Sequence, residues 1–189
     1  MFYAEGFKNR GFAIIELIVV VAIIVALLGI VLLNFPKTKD QVSLSRVANK
    51  FAQDVRRSQI LSVSNPANSS SYSGGNPSTG YGVYVDVSSG SNKKYIIYLD
   101  NVNLIQYYNG SNAIIETYDF SSLEPAIFIK QLNNVVGNTV SIDSPYPRVG
   151  TIITPTPTQD TVEVVFALSS DATITKTVSV SKRGLVEVK

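Results

Sequence analysis

The stretch that decides the fold is Arg10-Gly11-Phe12-Ala13-Ile14-Ile15-Glu16, together with the apolar run that it opens, FAIIELIVVVAIIVALLGIVLLN, residues 12–34. A helix of this length rises about 34 Å at ~1.5 Å per residue, which is long enough to cross the hydrocarbon core of a bilayer. Glu16 is the single ionisable side chain in the run. Because a carboxylate inside a membrane span is costly and such residues are usually functional, the central question is what Glu16 binds.

The composition excludes several kinds of chemistry. The 189 residues include no Cys, which removes disulfides, thiolate metal ligands and cysteine nucleophiles. They include no His either, so the commonest general base and transition-metal ligand is missing. The net charge of +2 is too small to indicate nucleic acid or anionic lipid as a partner. Length and composition favour one membrane helix followed by one globular domain, which we expect to be exported because it is rich in Ser, Thr, Asn and Tyr.

Residues 35–64 carry a second helical pattern. Apolar residues recur there at spacings of three and four, which predicts an amphipathic helix with one face on a globular core. These residues are Leu44, Val47, Ala48, Phe51, Ala52 and Val55. Asp54 is assigned to the polar side of this helix, and Pro36 predicts a kink or a short unwound stretch. Ile60 and Leu61 leave the stripe, which predicts burial on more than one side near the end. The pattern stops at Ser64-Asn65-Pro66.

From Tyr81 onward the apolar period becomes two, after a polar loop at residues 64–80. Such alternation, bounded by turn-forming residues, predicts strands. The candidate strands are 81–87, 94–100, 113–118, 126–132, 139–142, 150–154, 161–168, 172–180 and 185–188. We expect the first two and the last two to form hairpins. Many short strands with polar turns predict an antiparallel sheet pair or a partial barrel.

The N-terminal stretch resembles the class III signal of type IV pilins and type II secretion pseudopilins. It shares the order of basic residues, Gly11, Phe12, three apolar residues, Glu16 and a long apolar helix. The resemblance implies that a prepilin peptidase cuts between Gly11 and Phe12, that the new N-terminal Phe12 is N-methylated, and that Glu16 is the fifth mature residue. The implied domains are a leader peptide at 1–11, a transmembrane and assembly helix at 12–34, the amphipathic half of the helix at 35–64, and an exported β-rich domain at 65–189.

The physics of this motif explains why Glu16 is tolerated. Cleavage after Gly11 would create a cationic α-amino group on Phe12, at a helix end that already carries partial positive charge. Neither this amine nor a lone Glu16 carboxylate is stable unpaired in an apolar fibre core. In the family, Glu16 of an entering subunit is proposed to pair with the Phe12 amine of its neighbour, which sets the assembly register. The alternative is that Glu16 extends to the lipid headgroups without a partner.

The resemblance also implies a fold, partners and a location. A long N-terminal helix packed on a C-terminal antiparallel β-sheet domain is an α+β, pilin-like fold, and the pattern is most similar to minor subunits of the GspH/FimT type. The implied partners are other pilin or pseudopilin subunits, the prepilin peptidase and the inner-membrane assembly machinery. The implied location is the cytoplasmic membrane with the C-terminal domain exported, then a pilus or pseudopilus at the periplasm or cell surface. Pilus, secretion and competence systems all stay open.

Catalytic patterns are weak in this sequence. Ser and Thr lack a His to activate them, and no phosphate-binding or dinucleotide motif occurs, so we expect neither enzymatic activity nor a cofactor. Asp86 and Asp100, at ends of the first hairpin, are the best candidate carboxylate pair, and with Asp119 they could bind Ca²⁺. Without a Ca²⁺-loop spacing, we expect no metal. Asn109-Gly110-Ser111 matches the N-glycosylation pattern, as does Asn68-Ser69-Ser70.

Two alternative functions remain. Some pilins of the GspH/FimT type bind DNA for uptake through C-terminal basic residues, and Lys182 and Arg183, with Lys176 and Lys189, are the matching positions here. Asp171 and Glu187 offset part of this charge, so nucleic acid is the less favoured partner. The other alternative is a membrane-anchored enzyme or receptor whose N-terminus matches the pilin signal by coincidence.

Overall fold

The protein combines one long helix with two antiparallel sheets. The computed structural model describes residues 10–64, 80–100, 108–145 and 151–189, without the side chains of 10–13, 31–36, 100 and 145. Within these residues the chain forms helix α1 and nine strands. Their bounds are α1 Arg10–Ser64, β1 Gly80–Asp86, β2 Lys94–Asp100, β3 Ala113–Asp119, β4 Ile127–Asn133, β5 Thr139–Pro145, β6 Ile152–Thr154, β7 Thr161–Leu168, β8 Thr175–Ser181 and β9 Val186–Val188. The predicted α+β class with an N-terminal helix and antiparallel sheets is confirmed.

The chain divides into two compact units, Met1–Lys39 and Asp40–Lys189. In the first unit, most of the predicted leader at 1–11 lies outside the described residues. Helix α1 continues through Pro36, so the predicted unwound stretch is not formed. Among the residues whose placement is described, no helix is both long enough and apolar enough to cross a membrane. The side chains at both ends of the predicted span, 12–34, are not among those described. The span therefore stays a prediction.

The second unit contains both sheets. The five-stranded sheet has the order β3-β2-β1-β5-β6, and the four-stranded sheet has the order β4-β7-β8-β9. All described strand pairs are antiparallel, and the predicted hairpins β1–β2 and β8–β9 are both formed. Strand β5 pairs with β1, which lies far from it in sequence, with Val83 opposite Ile142. A pair of sheets is therefore formed, as the alternation of strands and turns predicted.

One face of α1 packs into the core of this unit. The stripe predicted from the sequence is buried throughout, with every member at most 2% exposed: Leu44, Val47, Ala48, Phe51, Ala52 and Val55. Phe51 lies against Tyr95 of the five-stranded sheet and Phe166 of the four-stranded sheet. Two predictions for this helix were wrong. Ile60 is 63% exposed, although its neighbour Leu61 is half-buried, and Asp54, which was assigned to the polar side, is 3% exposed.

Polar contacts fix the C-terminal part of α1 to the strands. The buried Ser62 hydroxyl accepts a hydrogen bond from Tyr81 N at 2.9 Å, which joins the end of α1 to the start of β1. Arg56 donates to the carbonyl of Val186 at 2.7 Å, and Gln59 donates to the carbonyl of Gly184 at 3.0 Å. These bonds satisfy backbone carbonyls of β9 and of the turn before it. They therefore fix how this part of the helix lies on the four-stranded sheet.

Candidate functional site

Among the described residues, the longest run of exposed large apolar side chains is the segment of α1 between Ile14 and Ile30. Its large apolar side chains are each 49–66% exposed: Ile14, Ile15, Leu17, Ile18, Val19, Val20, Val21, Ile23, Ile24, Val25, Leu27, Leu28 and Ile30. These residues cover every side of the helix, without a polar face. A helix that is apolar all round is stable only when other apolar groups cover it. We therefore expect this segment to be covered by other apolar groups.

Glu16 lies inside this apolar segment. Its side chain is exposed, and its neighbours in sequence are Ile15 and Leu17. Gly11 and Phe12 lie in the first turns of α1, and their side chains are outside the described set. The structure thus places the three residues of the predicted processing and register site on one helix end. Cleavage after Gly11 and methylation of Phe12 would need other enzymes, and the pairing of Glu16 would need a neighbouring molecule. All three stay predictions.

The predicted basic cluster is partly neutralised by acidic neighbours. Lys182 Nζ lies 3.8 Å from the Asp160 carboxylate, and Lys182 N donates to the Asp160 carbonyl at 2.9 Å. Lys189 Nζ lies 3.3 Å from the Glu163 carboxylate. Arg183 is exposed in the turn between β8 and β9. Two of the four candidate cations therefore have an acidic partner, which weakens the attraction of this surface for phosphate.

The candidate carboxylates do not come together. Asp100 pairs with Gly80 at one end of the β1–β2 hairpin, whereas Asp86 lies at the other end of β1. Six residue steps along β1 separate these two positions, about 20 Å at ~3.3 Å per residue. Asp119 accepts hydrogen bonds from Ser121, and these bonds, with a smaller contribution from Lys94, lower the pKa of Asp119. Within the described residues, no group of acidic side chains is arranged to hold a metal ion.

A buried polar cluster joins α1 to the five-stranded sheet. The Asp54 carboxylate accepts hydrogen bonds from Lys50 Nζ at 2.6 Å on both oxygens and from the Tyr95 hydroxyl at 2.5 Å. The Lys50 ammonium also lies 5.1 Å from the centre of the Tyr118 ring, within range of a cation–π contact. Burial, followed by the hydrogen bond to Asp54, raises the pKa of Tyr95 well above its usual range. These contacts hold α1 against the five-stranded sheet.

A second polar pair lies on the same sheet at Tyr98 and Asp143. Both side chains are buried, and the Tyr98 hydroxyl donates to the Asp143 carboxylate. They meet above Gly82, where a Cβ atom would lie 2.3 Å from Asp143 Oδ1 and 2.5 Å from Tyr98 Cζ. A glycine inside a strand often marks such a close approach, so Gly82 was the signal available in the sequence. Its partners could not be identified there, because β5 pairs with β1 only in the folded chain.

The chain was compared with known families, curated proteins and solved structures. No family model, curated protein or solved structure matches the chain. Of the sites described, the apolar segment with Glu16 is the one whose large apolar side chains are exposed, whereas the two Tyr–Asp pairs are buried.

Proposed function

We propose that the protein is a structural subunit of a helical filament, a pilin or pseudopilin of a type IV pilus or a type II secretion pseudopilus. Its precursor is anchored in the cytoplasmic membrane by residues 12–34, cut between Gly11 and Phe12, and methylated on Phe12. The mature subunits then pack through their N-terminal helices, and the β unit is exported. The chain has no nucleotide-binding motif, so the energy for assembly comes from the machinery that handles the subunit.

The observation that carries this proposal is the uncovered apolar helix with one carboxylate. In the membrane the segment around Ile14–Ile30 is covered by lipid, and in a filament the same surface is covered by neighbouring helices. Burial of the described side chains at about 25 cal/mol per Å² gives a strong, non-directional attraction. Such an attraction does not choose a register, because one apolar side chain replaces another at little cost.

In this proposal, Glu16 fixes the register between the helices of neighbouring subunits, which the apolar contacts leave open. Once the surface is buried, the carboxylate is stable only where a cation meets it, and the α-amino group of a neighbouring Phe12 is a cation that exists after cleavage. A contact between Glu16 of one subunit and Phe12 of the next joins two different surfaces. Repetition of such a head-to-tail contact gives an open helical filament rather than a closed ring.

The decisive experiment is determination of the mature N-terminus by mass spectrometry of protein from assembling cells. We expect a chain that begins at N-methylated Phe12. A matched variant, Gly11→Val, should keep the leader, because the small residue before the cut is replaced by a branched one. Intact Met1 on the mature wild-type protein would refute the proposal and favour the membrane-anchored enzyme or receptor.

DNA uptake is the alternative function, and the ion pairs of Lys182 and Lys189 with Asp160 and Glu163 weigh against it. We expect duplex DNA to bind the protein weakly, and expect Lys182→Ala with Arg183→Ala to leave that binding unchanged. Affinity that falls steeply with salt and is lost in the double variant would establish the alternative instead.

A further inference from the structure

The turn before β3 contains the one Asn-Gly dipeptide of the sequence, Asn109-Gly110. Asn109, Gly110 and Ser111 are all exposed. Gly110 has a φ of +83°, and a Cβ atom built on it would meet nothing within 4 Å. Water and the backbone of this turn therefore have free access to the Asn109 carboxamide.

Two hydrogen bonds hold Asn109 in place, one at its carboxamide and one at its backbone nitrogen. Ser111 N donates to Asn109 Oδ1 at 2.9 Å, and Asn109 N donates to Asn112 Oδ1 at 3.0 Å. Asn112 is buried at 8% exposure, so the turn has a fixed support. The first bond folds the Asn109 side chain back over the chain that follows it, towards the peptide of Gly110. It also withdraws electron density from the Asn109 carbonyl, which makes Cγ more electrophilic.

We propose that Asn109-Gly110 is a self-modifying site, at which the backbone nitrogen of Gly110 attacks Asn109 Cγ and expels ammonia. The bond from Gly110 N to Cγ forms, the bond from Cγ to Nδ2 breaks, and the proton lost from Gly110 N leaves with the ammonia. The product is a five-membered succinimide. Water then opens the ring at either carbonyl and leaves aspartate or isoaspartate at position 109, so the only co-reactant is water.

Each local feature has a role in this step. The missing side chain of Gly110 leaves its nitrogen unhindered and lets the backbone rotate into the ring. The Ser111 N–H lies where negative charge develops on Asn109 Oδ1 in the tetrahedral intermediate, as a donor of an oxyanion hole does. Asn138 is a natural comparison, because it is exposed but precedes the β-branched Thr139, which obstructs the same attack.

The modification changes the turn in two ways. It adds a negative charge next to β3, and the isoaspartate product routes the main chain through the former side chain, which lengthens the turn by one atom. The hydrogen bond from Asn109 N to Asn112 Oδ1 then no longer fits the geometry of the lengthened turn. Older molecules would therefore differ from new ones at this edge of the five-stranded sheet, whether or not the protein assembles into filaments.

The test is timed incubation of the full chain in detergent micelles, with peptide mass spectrometry and an isoaspartate assay at each time. We expect aspartate and isoaspartate to accumulate at residue 109 at least about tenfold faster than at Asn138, and faster at higher pH because Gly110 N must lose its proton. Asn109→Gln, which requires a larger ring, should remove the product. An unchanged Asn109, or a sugar on its Nδ2, would overturn the proposal.

A second measurement tests the role of the folded turn. The same incubation in concentrated urea removes the hydrogen bond from Ser111 N to Asn109 Oδ1. We expect conversion at residue 109 to be at least as fast in the folded protein as in urea. Slower conversion in the folded protein would show that the turn protects Asn109 and would refute the activating role of Ser111 N.

Discussion

The Tyr95 hydroxyl donates a hydrogen bond to the Asp54 carboxylate at 2.5 Å, and both side chains are at most 3% exposed. This bond crosses the interface between α1 and the five-stranded sheet, with Lys50 as the second donor to the same carboxylate. A buried carboxylate with good donors holds its neighbours to one arrangement, because any shift leaves the charge without a partner.

Removal of the phenol should therefore destabilise the protein. We expect Tyr95→Phe to lower the free energy of unfolding by about 1–3 kcal/mol, since it keeps the ring but deprives Asp54 of one donor. Urea unfolding of the full chain in detergent micelles, followed by near-ultraviolet circular dichroism, measures the change. Tyr118→Phe is the matched control, because no hydrogen bond from its hydroxyl occurs among the described residues, and a loss of similar size there would contradict the assignment.

The raised pKa of Tyr95 predicts that the protein loses stability at high pH. This pKa is raised from 10.0 in the folded protein, chiefly by burial. Below pH 10 the phenol is protonated in both states and its contribution is complete; above pH 10 only the unfolded chain ionises. The free energy of unfolding should then fall by about 1.4 kcal/mol per pH unit for this residue. Tyr95→Phe should have a shallower decline, and an equal slope in both proteins would refute the prediction.

The cation of this cluster should matter more than a cation on the surface. Lys50→Ala leaves the buried Asp54 with one donor fewer, and we expect a cost of about 2–4 kcal/mol. Arg57 forms an ion pair with Glu116 at 2.8 Å, but the two side chains are 52% and 38% exposed. Arg57→Ala should cost about 0–1 kcal/mol. Equal effects of the two substitutions in urea unfolding would show that burial does not decide their contribution.

Gly82 should not tolerate a side chain. Its Cβ would overlap Asp143 Oδ1 and the Tyr98 ring, which are held together by their own hydrogen bond. We expect Gly82→Ala to destabilise the protein by about 3 kcal/mol, measured by thermal unfolding. Gly29→Ala is the control, because nothing lies within 4 Å of its Cβ and its helical backbone suits Ala. A Gly82→Ala protein as stable as the control would disprove the close approach.

Glu16 is the test of the register in the proposed filament. Glu16→Ala should still be inserted and cut after Gly11, because neither step needs the carboxylate pair, but few filaments should form. Glu16→Gln separates charge from shape, since it keeps the side-chain length and removes the ionic contact. We expect it to assemble nearly as poorly in electron micrographs of sheared filaments. Normal filaments from either variant would refute the register role.

Most of the secondary structure could be predicted because its causes are local. The buried stripe from Leu44 to Val55 follows from a helical period, and β1 and β2 follow from alternation on either side of a polar turn. The pairing of β5 with β1 could not be predicted, because two strands separated by more than fifty residues carry no local sign of their partner.

The polar clusters were missed for a related reason. Asp54 occupies the apolar side of α1, but a carboxylate there is normally assigned to solvent, and only the folded chain brings Tyr95 against it. The prediction for Ile60 was wrong in the opposite way: an apolar residue predicts burial, yet Ile60 lies on the side of α1 that faces away from the strands and is 63% exposed. The residues proposed for processing and register, Gly11, Phe12 and Glu16, could be named from the sequence because a linear motif contains all three.

The hydrogen bond between Ser62 and Tyr81 has a practical consequence. It places the two ends of the intervening stretch of chain side by side, with 2.9 Å between Ser62 Oγ and Tyr81 N. A tag or fluorophore inserted between these residues would enter and leave the domain at one point, and closing a loop of twice the length costs only about 0.6 kcal/mol more. This junction is therefore a position for labelling the protein while both sheets and both chain ends stay as they are.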